Sequence, residues 1–329
     1  MPALRWGLLG TARINRSIIP AIRAASRSVL AGVASRTSAR AAAYAAEWSI
    51  PEAHGSYDAM LDDRTIDVVY IPLPNHLHVE WTLRAIDAGK HVLCEKPLAL
   101  SPADVDRVAE AAAQRGVVVA EAFMYRHHPL TTRAVSLVRD GALGPLKVIR
   151  GAFTFVLTRP DDVRLVPEWG GGSLWDVGCY PVSYARLLTG EEPVSVSAQV
   201  VRHETGIDLS AAATLLFPRG VIASIDCGFG AHFRTSMEVA GVDAVMTIDT
   251  PFKPGAEAEI RLTRGDRQET LTVAGEPLYL GEIEDLEAAV LDGRPPRVSL
   301  ADTRGNVAAL AAIHSAAQSG SVAALADLA

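Results

Sequence analysis

The sequence has little of what marks several large classes of protein. Its three cysteines, Cys94, Cys179 and Cys227, are too few and too scattered for a disulfide framework or a CxxC metal site. The nine histidines show no spacing that would put two metal ligands on one helix face, so we expect no metal. There is no lysine and arginine run, and the net charge of −7 argues against nucleic-acid binding.

Long apolar stretches are also missing. None reaches the roughly 18 residues that a membrane span needs, and the first five residues lead into a strand pattern rather than a signal-peptide core. We therefore expect a cytoplasmic protein that acts on a small molecule. At 329 residues, 49% of them hydrophobic, the chain can build two globular domains.

Acidic residues are absent from the start of the chain, where seven arginines precede the first acid, Glu47. Leu4–Leu9 is predicted as an apolar strand, and an amphipathic helix is predicted to run to about Ala25. The turn between them reads GxAxxN where a dinucleotide-binding motif reads GxGxxG, but the strand–turn–helix order is the one that motif requires. The turn residues proposed to bind a dinucleotide are Gly10, Thr11, Ala12, Arg13 and Ile14.

The end of the second predicted strand, residues 29–34, indicates which dinucleotide is bound. An NAD enzyme usually carries a carboxylate there for the ribose 2′-hydroxyl, and this chain has Ser35, Arg36 and Arg40 instead. An acid would repel a 2′-phosphate, whereas Arg36 can hold it. The pattern therefore favours NADP over NAD, and the alternative is a solvated basic surface.

Further strands are predicted at residues 68–71, 91–93 and 117–120, with helices near 78–89 and 102–115. This alternation predicts a doubly wound parallel sheet, whose ligands bind at the carboxyl ends of the strands. Lys96 of the Glu-Lys-Pro triplet lies at such an end, although the triplet alone would be a charged loop before a helix. Pro72 and Asn75 follow another strand and either border the nicotinamide ribose or form a rigid loop with an Asn-capped helix.

The pattern changes after residue 121 to strands of period two, which predicts a mostly antiparallel sheet. We expect domains at residues 1–121 and 122–329, the second an α+β domain with a large open-faced sheet. Terminal helices near 278–291 and 301–318 are expected to return toward the first domain. The predicted strands of the second domain lie near residues 147–156, 194–202, 209–217, 220–229, 232–240 and 256–263.

One glycine-rich segment, residues 170–180, interrupts these strands and ends in a helical pattern. Asp176 and Tyr180 are four residues apart, so a helix would project both from one face. An acid beside a phenol is typical of proton handling. The alternative is an Asp favoured by the helix dipole and a Tyr half-buried at a domain boundary.

Five motifs together resemble the Gfo/Idh/MocA oxidoreductase family, which includes glucose-fructose oxidoreductase, inositol dehydrogenases and dihydrodiol dehydrogenases. The resemblance implies an N-terminal Rossmann domain, an open-faced C-terminal sheet, and Lys96 at the site of hydride transfer. It also implies a homodimer or homotetramer formed through that sheet. The motifs are GLLGTARI at 7–14, PNHLH ending at His78, AGKHVLCEKP at 88–97, EAFMYRHHP at 121–129 and GGGSLWDVGCY at 170–180.

Tyr180 stands where many family members carry a histidine, which resembles the branch of glucose-fructose oxidoreductase, dihydrodiol and xylose dehydrogenases and sugar ketoreductases. The resemblance implies that Tyr180 exchanges the hydroxyl proton with support from Lys96. It adds His78, Glu95 and Glu121 to the cofactor residues, and places Asp176 with Arg126, His128 and Trp169 near the substrate.

The expected function is an NADP(H)-dependent oxidoreductase that acts on a cyclic polyol, pyranose sugar or keto-sugar. Within the same chemistry, the alternative is a trans-dihydrodiol dehydrogenase. The alternative from another class is a non-catalytic NADP(H)-binding regulatory protein, against which the presence of both Lys96 and Tyr180 argues.

Overall fold

The chain folds into two compact units, which a computed structural model describes for residues 3–325. The expected division is a single cut between residues 121 and 122, whereas a C-terminal segment here belongs to the first unit. The first unit comprises the residues up to Ala99, Ala103–His127 and Tyr279–Thr303, and the second comprises Leu100–Pro102, His128–Leu278 and the residues from Arg304 onward.

The first unit contains a parallel sheet of six strands. Its strands are β1 (Leu4–Leu9), β2 (Ser28–Ala34), β3 (Glu52–His54), β4 (Val68–Ile71), β5 (His91–Glu95) and β6 (Val119–Ala122). Its first five helices are α1 (Asn15–Ala24), α2 (Ser38–Trp48), α3 (Tyr57–Leu61), α4 (His78–Asp87) and α5 (Pro102–Arg115). The strand order is β3-β2-β1-β4-β5-β6. Successive strands are added on one side of β1 up to β3 and on the other side from β4 onward, and a doubly wound sheet binds its ligand at this switch point between β1 and β4.

Burial explains why these strands read clearly in the sequence. All four residues of β4 are buried, and Trp6 and Leu8 of β1 lie in the same core as Tyr70. A parallel strand that is covered on both faces reads as a continuous apolar run. The predicted bounds of β1 and β4 are confirmed, whereas β5 runs on to Glu95.

The second unit contains a nine-stranded sheet that is antiparallel except for one parallel pair, β7 and β10. Its helices include α6 (Pro129–Arg139) and α7 (Cys179–Thr189), which pack against the sheet. The predicted fold class, a Rossmann domain followed by a domain with a large antiparallel sheet, is confirmed. The strands are β7 (Leu146–Val156), β8 (Ser195–Arg202), β9 (Asp208–Leu216), β10 (Ile222–Gly228), β11 (Gly230–Gly241), β12 (Val245–Ile248), β13 (Glu257–Arg264), β14 (Arg267–Ala274) and β15 (Ala323–Ala324).

Two further helices, α8 (Leu280–Asp292) and α9 (Leu300–Ser319), lie between β14 and β15 in the chain. Helix α8 belongs to the first unit, where Ile283 and Leu286 join the core that α1 also contributes to. The expected return of the chain to the first domain is therefore seen for α8.

Candidate active site

The turn after β1 is held by Asn15, one of the two residues that depart from the glycine motif. Gly10 has a φ of +127°, a conformation that side chains rarely adopt. Asn15 is fully buried, and its Nδ2 atom donates a hydrogen bond of 2.9 Å to the Gly10 carbonyl oxygen. The carbonyl groups of Ala12 and Arg13 accept bonds from the first amides of α1. Asn15 therefore stabilises the turn from inside, where the standard motif relies on a small residue.

The turn after β2 brings cationic side chains to this glycine turn. Ser35 is buried, and its amide donates to the His54 carbonyl oxygen of β3. The Arg40 Nε atom donates to Thr11 Oγ1 at 2.9 Å, which joins the two turns. Arg36 is exposed and makes no hydrogen bond or ion pair within residues 3–325. Two guanidinium groups, one of them with no partner in that range, suit a phosphate group.

The loop after β4 is fixed by a buried histidine. Pro72 is buried, and Asn75 begins a short 3-10 helix that leads into α4. The two ring nitrogens of His78 lie 2.7 Å from the carbonyl oxygens of Pro97 and Leu73. Burial is the main influence on this imidazole and lowers the pKa of His78 to about 4. The ring is therefore neutral at pH 7 and links the loop after β4 to the loop after β5.

Lys96 lies on that second loop, half-buried and joined to Pro97 by a cis peptide bond. Glu121 is buried in β6, and its Oε1 atom accepts from the Leu98 amide at 2.9 Å. Its other oxygen accepts from Thr303 Oγ1 at 2.9 Å. His78 and Glu121 thus hold two successive residues beyond Lys96, and we interpret both as positioning residues for this loop rather than as direct contacts of the cofactor.

Glu95, the neighbour of Lys96 in the chain, contacts a group of largely buried carboxyl and phenol side chains. The Tyr70 hydroxyl donates a hydrogen bond to Glu95 Oε1. Burial, with Glu95 adding to it, raises the pKa of Tyr70 well above its usual value, so this phenol stays a donor. Glu282 of α8 is 2% exposed, and burial raises the pKa of its carboxyl group well above the ordinary range. No sequence motif pointed to Tyr70 or Glu282.

In the second unit, a buried aspartate organises the glycine-rich turn. Asp208 is 4% exposed, and its Oδ2 atom accepts from Ser173 Oγ at 2.8 Å and from the Leu174 amide at 2.7 Å. Gly172 has a φ of +115°, and a Cβ atom there would lie 2.1 Å from Asp208 Oδ1. Asp208 therefore fixes the start of a π-helical turn, Leu174–Gly178, that continues into α7.

Asp176 lies in this π-helical turn and Tyr180 in the first turn of α7. The Arg164 Nε atom donates to Asp176 Oδ2 at 2.6 Å, and the Asp176 charge is the main cause of a raised Arg164 pKa. The pair favours an ionised Asp176 that accepts hydrogen bonds rather than one that moves protons. Tyr180 is 5% exposed, with its ring centroid 5.3 Å from that of Phe153 and 5.5 Å from that of Phe252.

The three other predicted substrate residues differ in their surroundings. Arg126 is 6% exposed and its Nη1 atom donates to Asp302 Oδ2 at 2.8 Å. His128 is buried and caps α6, because its Nδ1 atom accepts from the Leu130 amide at 3.1 Å. These contacts favour structural roles for Arg126 and His128. Trp169 is 40% exposed and ends a 3-10 helix.

Sequence reasoning did not identify Arg164 or Asp208. Neither residue belongs to a sequence motif, and each meets the glycine-rich segment only in the folded protein. Asp208, for example, lies 35 positions from its partner Ser173. Within residues 3–325, no cluster of three or more His, Cys, Asp or Glu side chains could hold a metal ion. The helices of that range also include none with the length and apolar character of a membrane span.

Several known proteins are similar to this chain over most of its length. A D-xylose 1-dehydrogenase (NADP(+)) of Haloferax volcanii is 38% identical over 321 residues, covering 96% of this chain and 98% of that protein. A dTDP-3,4-didehydro-2,6-dideoxy-alpha-D-glucose 3-reductase of Streptomyces violaceoruber is 39% identical over 273 residues, covering 81% and 79%. The crystal structure of a 3-ketoreductase from Actinomadura kijaniata in complex with NADP and TDP-benzene has a TM-score of 0.90 at 29% identity, covering 95% of this chain and 98% of that one.

Two family models match successive parts of the chain. The model described as an oxidoreductase family with an NAD-binding Rossmann fold matches residues 4–123, which include both turns with the arginines and the Lys96 loop. The model of the GFO/IDH/MocA C-terminal domain matches residues 131–247, which include Asp176 and Tyr180. The two matches span most of the chain, and it therefore belongs to the Gfo/Idh/MocA family of oxidoreductases.

Proposed function

We propose that this protein is an NADP(H)-dependent oxidoreductase that transfers hydride between nicotinamide and a carbon of a cyclic polyol, pyranose sugar or keto-sugar. The observation that carries the proposal is the loop with Lys96, which His78 and Glu121 hold at the carboxyl end of β5. Doubly wound sheets bind their ligands at such ends. The named activities of the similar sugar dehydrogenase and keto-sugar reductase agree with it.

The residues at the ends of β1 and β2 fit the cofactor. The turn at Gly10 leaves room for a close approach of phosphate, and Arg36 and Arg40 supply charge for a 2′-phosphate. No carboxylate follows β2 to compete for that position. We propose contacts of the cofactor with Gly10, Thr11, Ala12, Arg13, Ile14, Ser35, Arg36, Arg40, Pro72, Asn75, Glu95 and Lys96.

The chemistry follows from the side chains. When bound, NADP(H) supplies the hydride acceptor or donor at nicotinamide C4. In the oxidative direction, Tyr180 takes the proton of the substrate hydroxyl group, while the hydrogen on the same carbon leaves as hydride with both electrons of its bond. A free phenol has a pKa of about 10, so Lys96 would assist by favouring the phenolate. Asp176, ionised beside Arg164, would accept hydrogen bonds from substrate hydroxyl groups.

The test is an assay at 340 nm with NADP⁺ or NADPH over neutral pentoses, hexoses, nucleotide-linked keto-sugars and trans-dihydrodiols. We expect turnover with at least one sugar or keto-sugar, faster with NADP(H) than with NAD(H). If only trans-dihydrodiols were turned over, the substrate would be a trans-dihydrodiol instead of a sugar or keto-sugar. NADPH binding without turnover of any compound would favour a regulatory protein.

We also propose a homodimer or homotetramer that forms through the large sheet. Leu216 and Ile222 lie opposite each other on β9 and β10 and are 40% and 43% exposed. Val201 of β8 is 63% exposed. Exposed apolar side chains on a sheet, with Leu216 and Ile222 as direct neighbours and Val201 farther along, favour a surface that a second subunit covers.

A further inference from the structure

One aromatic residue near the proposed cofactor site belongs to none of the motifs. Tyr57 is the first residue of α3, just beyond the end of β3, and β3 lies beside β2 in the sheet. We propose that Tyr57 is a specificity-determining residue for NADP(H), and that its hydroxyl group donates a hydrogen bond to the 2′-phosphate of the cofactor. This inference rests on the proposed function and extends it to a residue outside the known pattern.

The position of the Tyr57 hydroxyl group is the first support. A Cβ atom added to Gly10 would lie 3.8 Å from the Tyr57 hydroxyl oxygen, so this oxygen is next to the glycine turn. Thr11 of the same turn accepts the hydrogen bond from Arg40. The carboxyl ends of three neighbouring strands, β1, β2 and β3, thus bring a phenol and a guanidinium to one place.

The charges around the phenol are the second support. Burial is the largest influence on Tyr57 and raises its pKa, while the charges of Arg36 and Arg40 act in the opposite direction. The phenol is therefore a protonated donor close to two cations. Neither the Tyr57 hydroxyl nor Arg36 makes a hydrogen bond within residues 3–325. A phosphate group has several acceptor oxygens, and hydroxyl and guanidinium donors without other partners can bind them.

The packing of the ring is the third support. Tyr57 meets the Trp81 ring edge-on, with centroids 4.9 Å apart and an interplanar angle of 84°. The guanidinium of Arg84 lies 4.5 Å over Trp81, and its charge is paired with Asp58 at 3.1 Å and Glu80 at 3.0 Å. The charge of Arg84 is thus already paired, by Asp58 and Glu80. The ring of Tyr57 is held before any ligand binds, which reduces the entropy that ordering its hydroxyl group would cost.

The test compares wild type with Tyr57→Phe, which keeps the ring and its packing and removes only the hydroxyl group. Fluorescence titration gives the Kd for NADPH and NADH, two ligands that differ only in the 2′-phosphate. Calorimetry with adenosine 2′,5′-bisphosphate isolates the adenosine end. We expect the Kd for NADPH and for the bisphosphate to rise about tenfold, which equals about 1.4 kcal/mol, and the Kd for NADH to change less than twofold.

Arg36→Ala and the double variant extend the test. If Tyr57 and Arg36 bind one phosphate group, the double variant should lose less NADPH affinity than the two single losses combined. The matched control is Tyr184→Phe, which removes a hydroxyl group from a buried tyrosine of α7 in the second unit and should leave both Kd values unchanged. Thermal unfolding of each variant checks that it is folded.

Two results would overturn the inference: an NADPH Kd within twofold of wild type in Tyr57→Phe, or an equal loss of NADH and NADPH affinity. Either could occur with an intact wild-type preference for NADPH, in which case the proposed function would stand. A wild-type protein that binds neither dinucleotide would instead contradict the proposed function itself.

Discussion

The fold positions Lys96 through hydrogen bonds to the backbone of the two residues that follow it, Pro97 and Leu98. His78 binds the Pro97 carbonyl group and Glu121 binds the Leu98 amide, so the loop is fixed by side chains from α4 and β6. Neither bond involves the Lys96 side chain. The residue proposed to take part in the chemistry, Lys96, is thus distinct from the residues proposed to position it, His78 and Glu121.

Replacing Lys96 or Tyr180 tests their proposed roles. Lys96→Ala and Tyr180→Phe should each lower kcat about 100-fold or more, because a positioned acid–base group contributes roughly that factor. The Kd for NADPH should stay within about threefold. Lys96 is only one of the proposed cofactor contacts, and the turns around Gly10 and Arg36, which are proposed to hold the phosphate groups, remain intact. Initial rates at 340 nm and fluorescence titration measure the two quantities.

The controls for these variants are Lys147→Ala, at an exposed position of β7, and Tyr184→Phe. Both should keep wild-type kcat. Near-normal turnover in Tyr180→Phe would show that another group exchanges the proton.

The buried imidazole of His78 should make stability depend on pH. Its pKa is about 4 in the folded protein and about 6.5 when unfolded, so the unfolded chain binds more protons between these values. This stabilising contribution is present above pH 6.5 and is lost as the pH falls toward 4. From pH 7 to pH 5, the free energy of unfolding of wild type should fall by about 2 kcal/mol more than that of His78→Gln.

Urea unfolding at the two pH values measures this difference. An equal fall in wild type and His78→Gln would mean that His78 is protonated in the folded protein and donates to both carbonyl groups.

At the scale of elements, the turn before α7 depends on Asp208 from β9. Asp208→Ala leaves the Ser173 hydroxyl and the Leu174 amide without their acceptor, which should destabilise the protein by about 1–3 kcal/mol. The start of the π-helical turn with Asp176 should shift, so we expect kcat to fall about tenfold with an unchanged NADPH Kd. Asp208→Asn keeps an acceptor oxygen and should recover part of the activity.

The matched control is Asp226→Ala on the neighbouring strand β10, where the side chain is exposed and paired with Arg234. It should keep wild-type kcat. Full turnover in Asp208→Ala would show that the turn holds its shape without this carboxylate.

Buried strands could be predicted from the sequence more accurately than exposed ones. Strands β1 and β4 read as apolar runs because both their faces are covered, and their predicted bounds agree with the structure to the residue. The three residues of β3 and the largely exposed β14 carry too little apolar pattern, and both were missed. The same holds for the candidate site. Motifs identified Lys96 and Tyr180, whereas the bonds from Arg164 and Asp208 exist only through tertiary contacts that one sequence does not record.

At the scale of the whole molecule, charge is distributed unevenly. The chain carries a net charge of −7, yet the residues before Glu47 hold seven arginines and no acid. A locally positive region in an acidic protein attracts a phosphorylated ligand at long range, and salt screens this attraction. The two turns proposed to hold the phosphate groups of the cofactor, those with Gly10 and Arg36, lie in this part of the chain.

The proposed oligomer can be tested on the large sheet. Light scattering should give at least a dimer for wild type. Leu216→Glu combined with Ile222→Glu should give a monomer, because two charges would replace apolar area on the face to be buried. NADPH affinity should not change.

The control is Val29→Glu, an equally exposed valine of the first unit, which should keep the wild-type mass. A monomeric wild type would contradict the proposed oligomer. A double variant of unchanged mass would move the interface to another surface.

The central claim, an oxidoreductase that uses NADP(H), is tested most directly by fluorescence titration of the purified protein with NADPH and with NADH. We expect tight NADPH binding, at least about tenfold weaker NADH binding, and loss of that difference in Arg36→Ala, because a charge-assisted bond to the 2′-phosphate would be removed. A preference for NADH would contradict the role given to the turn after β2. Binding of neither dinucleotide would contradict the account of this protein as an oxidoreductase.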